Sequence, residues 1–362
     1  MIKLIHGADL HLDSPFSGLS PEQAAQRREE QRELLGRLAE LARSRKADAV
    51  LLSGDLLDSR RTFRETAQAL SAQLGAMGCP VFIAPGNHDC YQDSAPYATL
   101  DWPDNVHIFS TEQVEGVELP GKNCVIHGAA FLSEHMERSP LTGFSAPRDG
   151  KVHIMTLHGQ LEEGGNYAPL TKEDIARSGL AYLALGHVHQ FSGLQKAGET
   201  TWAYPGCPEG RGFDELGEKG VLYLEVDETS CRGEFVPLGK RRYEILRVDL
   251  TGQEEPLKVI RAALPADTKE DIYRIVLTGE RTAPLDVPGL QLALEGAFYA
   301  LQLRDSTRAA RQVWERMEED TLTGLFLREM HRLYQEQPDN ETVQLAVRFG
   351  LAALEGGEDV RP

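Results

Sequence analysis

The sequence predicts an α/β domain over residues 1–240, a small α+β cap over 241–305 and a helical segment over 306–362. Three observations predict it. Short runs rich in Val, Ile and Leu recur through the first 240 residues, and each ends abruptly in a polar cluster. Helical or loop sequence follows each run, and such alternation argues for layers of sheet and helix. Beyond residue 306, apolar residues repeat at helical spacing.

The strand runs are 3–8, 49–53, 80–85, 153–157 and 181–186. They are apolar along most of their length, as expected of strands covered on both faces. A helix is expected over 21–46, with Ser20 as N-cap and Pro21 at its first position. A second is expected over 62–77, closed by Gly78. In the cap, strands are expected at 242–250, 272–278 and 298–303, and helices at 254–264 and 285–295. In the last segment Leu322, Leu325, Phe326, Met330 and Leu333 are expected on one helix face. After Pro338, Val343, Ala346, Val347, Gly350, Leu351 and Leu354 make another.

Composition bounds the function. Hydrophobic residues at 41% and charged residues at 26% of 362 exclude a mostly disordered chain. The 38 Lys and Arg face 56 Asp and Glu, a formal charge of −18. Such a chain does not attract nucleic acid or an anionic membrane through its mean field, so an anionic substrate needs a local reversal of sign. Residues 1–240 carry 22 basic and 34 acidic side chains, and 241–362 carry 16 and 22, so neither part is a basic arm. Arg60-Arg61 with Arg64, and Lys240-Arg241-Arg242, read as solvated surface rather than as binding patches. Five scattered cysteines without a C-x-x-C pair form neither a disulfide framework nor a zinc ribbon. The N-terminal stretch has no long apolar core and no run is long enough to span a bilayer, so no signal peptide, no membrane contact and a cytoplasmic location are expected.

The chemistry lies at the strand ends. Asp9-Leu10-His11 follows the first run and Gly54-Asp55-Leu56-Leu57-Asp58 the second. Gly86-Asn87-His88-Asp89, His158-Gly159 and Gly186-His187-Val188-His189 follow the other three. The carboxyl edge of an α/β sheet is where ligands bind. Carboxylate, imidazole and amide oxygen together suit Mn, Fe or Zn better than Ca, and Asp55 is placed to bridge two ions. Any one cluster is weak alone, since Gly-Asn-His-Asp also makes a turn; their number and order carry the inference. His127-Gly128 also follows a strand-like pair and is read as a bystander.

The order Asp-x-His, Gly-Asp-x-x-Asp, Gly-Asn-His-Asp, His, Gly-His-x-His resembles the calcineurin-like metallophosphoesterase superfamily. The fuller resemblance is to its DNA-exonuclease branch, the SbcD/YhaO-like nuclease subunits. Trp102-Pro103-Asp104-Asn105-Val106, Leu157-His158-Gly159-Gln160, Tyr204-Pro205-Gly206 and Gly217-Glu218-Lys219-Gly220 support it. The resemblance covers residues 1–240 most fully, the cap less and the helical segment least. It implies a four-layer sandwich, two mixed β-sheets flanked by helices.

The resemblance also implies roles. One divalent ion falls to Asp9, His11, Asp55 and His189, and a second to Asp55, Asn87, His158 and His187. Manganese is the first expectation, with iron or zinc as alternatives. His88 would assist the leaving oxygen of a phosphodiester attacked by metal-activated water. Asp58 stands where phosphatases of the superfamily have an aspartate that orients this histidine, and where many SbcD-type relatives have a histidine. Cys207 stands where YhaO-like relatives often have asparagine. The implied partners are DNA as substrate and an SMC-like ATPase of the SbcC/YhaN type, with the helices at 322–333 and 343–354 as docking faces or as helices packed on the body. A homodimer is a further candidate. The implied setting is DNA repair or end processing. The alternatives are a phosphoesterase for a small nucleotide or phosphoprotein, and a non-catalytic scaffold for DNA ends. The Ser/Thr phosphatase pattern is absent, since Asp58-Ser59-Arg60 and Asn87-His88-Asp89 replace its Asp-Arg-Gly and Asn-His-Glu.

Overall fold

A computed structural model describes residues 1–59, 62–337 and 340–354. Arg60, Arg61, Pro338 and residues 355–362, all covered by expectations above, lie outside the described residues. The chain divides into two compact units, Met1–Arg242 and Tyr243–Pro362.

In the first unit the order is β1 (Ile2–Gly7), α1 (Pro21–Arg45), β2 (Ala49–Leu52), α2 (Arg64–Gly75), β3 (Val81–Ile83), α3 (Pro96–Thr99), β4 (Val106–Ile108), β5 (Glu115–Glu118), β6 (Cys124–Gly128), β7 (Val152–His158), α4 (Lys172–Arg177), β8 (Tyr182–Gly186), β9 (Gln195–Ala197), β10 (Thr200–Ala203), β11 (Gly220–Val226) and β12 (Cys231–Pro237). They form two six-stranded mixed sheets, β12-β11-β1-β2-β3-β4 and β5-β6-β7-β8-β10-β9. Strands β1 to β4 are parallel, as are β6, β7, β8 and β10, and antiparallel strands close the edges.

Alternation along the strands builds the layers. On β1, Leu4 enters the core between the sheets while Ile5 faces the helices. On β2, Leu51 points inward, and Val50 and Leu52 meet Leu34, Leu38, Leu70 and Leu74 of α1 and α2. On β8, Tyr182 and Ala184 join the inter-sheet core, and Leu183 and Leu185 pack under Ile175 of α4. Both faces of the parallel strands are therefore covered, which accounts for the nearly continuous apolar runs. The result is the expected sandwich of two mixed sheets flanked by helices.

Helix α1 starts as expected. Ser20 accepts from the Gln23 amide while the Gln23 side chain accepts from the Ser20 amide, a reciprocal cap. Helix α2 starts two residues later than the sequence suggests. The Asp13 carboxylate takes the Thr62 hydroxyl at 2.6 Å, the Phe63 amide at 3.0 Å and the Thr66 hydroxyl at 2.7 Å. A distant side chain thus replaces the cap that Phe63 cannot provide. Of Lys240-Arg241-Arg242, the outer two are exposed as expected, but Arg241 is buried, and its Nη2 lies 2.7 Å from Glu30 Oε1. His127 sits in β6 with Nε2 2.9 Å from His153 Nδ1 and joins no candidate metal group.

The second unit begins with β13 (Tyr243–Asp249), α5 (Pro256–Ala263), β14 (Ile272–Thr278), β15 (Glu280–Arg281), α6 (Val287–Ala293), β16 (Ala300–Asp305) and β17 (Arg308–Ala309). The sheet β13-β14-β16 is parallel, and β15 pairs with β17. Helices α7 (Arg311–Glu315), α8 (Leu322–Glu336) and α9 (Glu341–Leu354) follow. Val313, Leu327, Met330, Val347 and Leu351 form their core. The expected face of α8 is rotated. Leu327 is fully buried, whereas Leu322 and Leu325 are 68% and 58% exposed. Gly324 lets the helix start close against the preceding turn, since a Cβ there would lie 2.1 Å from the Glu319 carbonyl oxygen.

Candidate metal centre

Four of the expected ligands follow strands β1, β2 and β8 in the left-handed region: Asp9 at φ 54°, His11 at 44°, Asp55 at 51° and His187 at 107°. Such backbone costs of the order of 1–2 kcal/mol per non-glycine residue and persists only where the surroundings impose it. Here they do. The Asp9 amide donates to the Gly54 carbonyl at 3.0 Å, the His11 amide to the Asp55 carbonyl at 2.9 Å, and the His187 amide to Asp9 Oδ1 at 3.0 Å. Gly186 lets β8 approach β2: a Cβ there would lie 1.8 Å from the Ser53 carbonyl oxygen.

Asp89 pins the second and third clusters together. Its buried carboxylate accepts from the amides of Leu56 at 2.7 Å, Gly86 at 2.8 Å, Asp55 at 3.2 Å and Leu57 at 3.2 Å, and from the Tyr97 hydroxyl at 2.6 Å. The sequence alone suggests no role for this last residue of Gly-Asn-His-Asp. Its part is to shape the loops that carry Asp55 and Asn87.

The fold gathers the expected ligands into two groups. Asp9, His11 and His189 form one, and Asp55, His158 and His187 the other. His11 Nε2 lies 3.3 Å from His189 Nε2, and Asp9 Oδ1 lies 4.0 Å from His189 Nε2. In the second group His158 Nε2 is 2.9 Å from Asn87 Oδ1, and His187 Nδ1 is 3.2 Å from the same oxygen. Asp55 Oδ2 stands between the groups, 3.8 Å from His11 Nε2 and 3.3 Å from His158 Nε2. Its Oδ1 accepts the His88 amide at 2.9 Å.

The outward partners fix the tautomers, and the tautomers test the metal reading. His11 Nδ1 meets Asp58 Oδ1 at 3.2 Å, and His189 Nδ1 lies 2.8 Å from Glu215 Oε1 and 3.0 Å from Arg211 Nη2; with the nearer carboxylate as its partner, His189 Nδ1 carries the proton as His11 Nδ1 does. His158 Nδ1 donates to the Ser53 carbonyl at 2.9 Å, and His187 Nε2 to Gln160 Oε1 at 3.2 Å. Every inward atom is then a lone pair: four imidazole nitrogens, carboxylate oxygens and one amide oxygen. Acceptors packed this closely need cations or protons between them, so the donor set fits divalent metal.

The protonation of the metal-free centre agrees. Burial pushes Asp9 up to about 7, with the Asp55 charge adding to it. Burial alone would lower His158, but the Asp55 carboxylate outweighs it and lifts the imidazole to about 9. Burial opposes ionisation of Asp55 too, yet His158 and His11 hold it well below the carboxylate range. His11 and His187 are pushed down to about 4, chiefly by burial.

His88 sits at the rim, exposed, its ring 4.8 Å from that of His11. The expectation that the Asp58 carboxylate orients it is not met. His88 Nδ1 faces the main-chain oxygen of Asp58 at 3.0 Å. The Asp58 carboxylate turns instead to His11 Nδ1, to the Ser14 hydroxyl at 3.0 Å and to Arg211 Nη1 at 3.2 Å. Cys207 is buried, and its amide donates to the His189 carbonyl at 3.2 Å. The centre opens on a cavity of about 810 Å³ lined by Asp58, Asn87, His88, Gln92, Glu134 and Tyr167 among others. No lysine or arginine lines it among the described residues. Arg211 and Glu215, which back the ligands, carry no signal in the sequence; they come from a loop between β10 and β11 that no strand run announces.

Comparison with known proteins accords with this geometry. The family model described as calcineurin-like phosphoesterase matches residues 2–191. The chain is 32% identical over 262 residues to the uncharacterized metallophosphoesterase YhaO of Bacillus subtilis, covering 69% of this chain and 64% of that protein. It is 24% identical over 271 residues to the SbcD component of the SbcCD nuclease of Bacillus subtilis, covering 62% and 66%. It is 26% identical over 271 residues to the DNA double-strand break repair protein Mre11 of Aeropyrum pernix, covering 69% and 64%. The chain thus spans just under two thirds of the length of these curated relatives. No helix among the described residues is long and apolar enough to cross a membrane. With a strand-end ligand set of this kind and a family match across more than half of its residues, the chain belongs to the calcineurin-like phosphoesterases, a family of metal-dependent phosphoester hydrolases.

Proposed function

We propose that this chain is a dinuclear-metal phosphodiesterase that hydrolyses DNA, with manganese as its working metal and an SMC-like ATPase as its partner. One observation carries the reading: two inward-facing donor groups share Asp55, with His88 beside them on an open cavity. Divalent ions supply Lewis-acid activation of water and neutralise phosphate oxygens when bound there. The protein's own part is to aim the groups. Asp55 uses Oδ1 to hold the His88 amide, and the Asp58 carbonyl takes His88 Nδ1–H, so Nε2 is the nitrogen left to exchange a proton with the departing oxygen.

The choice of DNA rests on the relatives described as a nuclease component and a break-repair protein. The charge of −18 then says how DNA is held. Two divalent ions would outweigh the carboxylates of Asp9 and Asp55 at the point of attack, while Asp58 and Glu134 on the cavity wall and the acidic surface around it repel duplex. The isolated chain therefore binds DNA weakly, with metal and salt dependence, and the partner supplies most of the grip. The segment 306–362 is the proposed docking element, and exposed Leu322 and Leu325 on α8 support it. A reducing cytoplasm suits five cysteines that form no disulfide with one another.

The test offers the purified chain linear duplex DNA, single-stranded DNA and bis-p-nitrophenyl phosphate with Mn²⁺. Shortened DNA supports the proposal. Cleavage of the small diester alone replaces it with a small-molecule phosphoesterase. No turnover with any divalent metal points to a non-catalytic scaffold, and tight DNA binding in EDTA overturns the weak, metal-dependent grip.

A further inference from the structure

The two ligand groups are backed differently. In the first, the outward nitrogen of both histidines faces a carboxylate, His11 Nδ1 3.2 Å from Asp58 Oδ1 and His189 Nδ1 2.8 Å from Glu215 Oε1, with Arg211 Nη2 also 3.0 Å from His189 Nδ1. In the second, the outward acceptors are neutral, the Ser53 carbonyl and the Gln160 amide. One guanidinium joins the two carboxylates. Arg211 Nη1 donates to Asp58 Oδ1 at 3.2 Å, Nη2 donates to Glu215 Oε1 at 2.7 Å, and the Arg211 amide donates to Glu215 Oε2 at 2.7 Å. The loop that carries them is anchored two residues earlier, where buried Glu209 Oε1 lies 2.6 Å from fully buried Arg27. Residues 209–215 lie beyond the 2–191 span of the family model.

A carboxylate behind a ligating imidazole fixes its orientation and raises its basicity, and removing such a partner typically costs ten- to hundredfold in metal affinity. Resting on the metal-centre reading above, we propose that Arg211, Glu215 and Asp58 act as a positioning set that makes the two ion sites unequal, so that the Asp9–His11–His189 group fills first and holds its ion more tightly. Asp9 adds a second carboxylate to that group, while the other relies on the neutral oxygen of Asn87 beyond the shared Asp55. Arg211 keeps both backing carboxylates in place and keeps them from swinging inward as ligands.

The test titrates Mn²⁺ into the metal-stripped full chain by calorimetry, with electron paramagnetic resonance to separate isolated from spin-coupled Mn²⁺. Wild type is expected to fill in two steps at least about tenfold apart, with isolated Mn²⁺ at one equivalent and a coupled pair at two. Glu215→Gln should weaken the tighter step about ten- to hundredfold and the other less than about threefold, whereas Gln160→Ala should weaken only the looser step. Arg211→Lys should fall between wild type and Glu215→Gln, because it keeps the charge and loses the fork. Melting of the metal-free variants controls for misfolding, and Glu215→Gln, nearly isosteric, carries the test if an arginine variant is unstable. Two ions bound to wild type with Glu215→Gln indistinguishable from it, or with both steps shifted alike, would overturn this inference alone. A wild type that binds no Mn²⁺ would overturn the metal-centre reading and this inference with it.

Discussion

Asp58 meets His88 through its main-chain oxygen, 3.0 Å from Nδ1, while its carboxylate lies 3.2 Å from Nδ1 of His11. One residue therefore serves two histidines by two different ends. A carbonyl fixes the His88 tautomer without contributing a charge, whereas a carboxylate there would favour the imidazolium. The carboxylate is instead directed to a candidate metal ligand.

That division predicts separable effects. His88→Ala should lower turnover of a phosphodiester about 10²–10⁴-fold at saturating metal without changing metal stoichiometry. Asp58→Asn should act mainly on the Mn²⁺ concentration needed for half-maximal rate, since it keeps the carbonyl and loses the charge behind His11. At saturating Mn²⁺ the double variant should resemble His88→Ala. If Asp58→Asn alone removed the whole His88 contribution there, the carboxylate would be the orienting group after all.

Metal binding should release protons. In the metal-free centre Asp9 titrates near 7 and His158 near 9, while His11 and His187 are already neutral above about 4. A metal requires the carboxylate and the neutral imidazole, so it displaces about one proton at pH 8 and approaches two at pH 6. Affinity should therefore rise with pH between 6 and 9 and level off above. Calorimetry in two buffers of different ionisation enthalpy measures the count, and an affinity flat across that range would contradict these protonation states.

The strand-end clusters are legible because each is local: an apolar run, a glycine and the ligands sit within a few residues of one another, as in Ala49–Leu52 followed by Gly54 and Asp55. What is not legible acts at a distance. Arg211 reaches His189 across 22 positions and Asp58 across 153, and nothing in the run Gly210-Arg211-Gly212-Phe213 marks it as part of a centre built by β1, β2 and β8. The start of α2 is misplaced for the same reason, since its cap comes from Asp13. The facing of α8 fails differently. Its leucines outnumber what its neighbours can cover, so periodicity alone does not reveal which of them Val347 and Leu351 bury. The short strands β9 and β10 and the edge strand β12 escape the sequence because their runs are polar or brief.

His6 should set part of the acid limit of stability. It is buried in β1, with Nδ1 2.8 Å from the Tyr182 hydroxyl and Nε2 3.1 Å from Ser53 Oγ, and burial lowers it to about 3. The unfolded chain takes up this proton near 6.5 and the folded one does not until about 3, so the stability His6 provides is intact above 6.5 and is lost as pH falls through that window. At pH 5 the loss is of the order of 2 kcal/mol. His6→Gln should reduce the slope of unfolding free energy against pH by about one proton between pH 6 and 4. Urea unfolding across that range, with an unchanged slope in the variant, would show that His6 is not the group responsible.

Gly186→Ala should damage fold and centre together. The added Cβ would lie 1.8 Å from the Ser53 carbonyl oxygen, which is backbone and cannot rotate away. That oxygen is also the acceptor that orients His158, and the neighbouring residue is His187, a candidate ligand with left-handed backbone. Overpacking against side chains costs about 1–3 kcal/mol, so a clash with a strand end should cost at least the upper figure. Because β2 and β8 must separate to relieve it, Asp55 and His158 should move apart as well. Metal-dependent thermal shift separates the two effects: the variant should melt lower without Mn²⁺ and gain less than wild type on adding it. An equal Mn²⁺ shift in both proteins would mean that the close approach of these strands serves the fold and leaves the ion sites untouched.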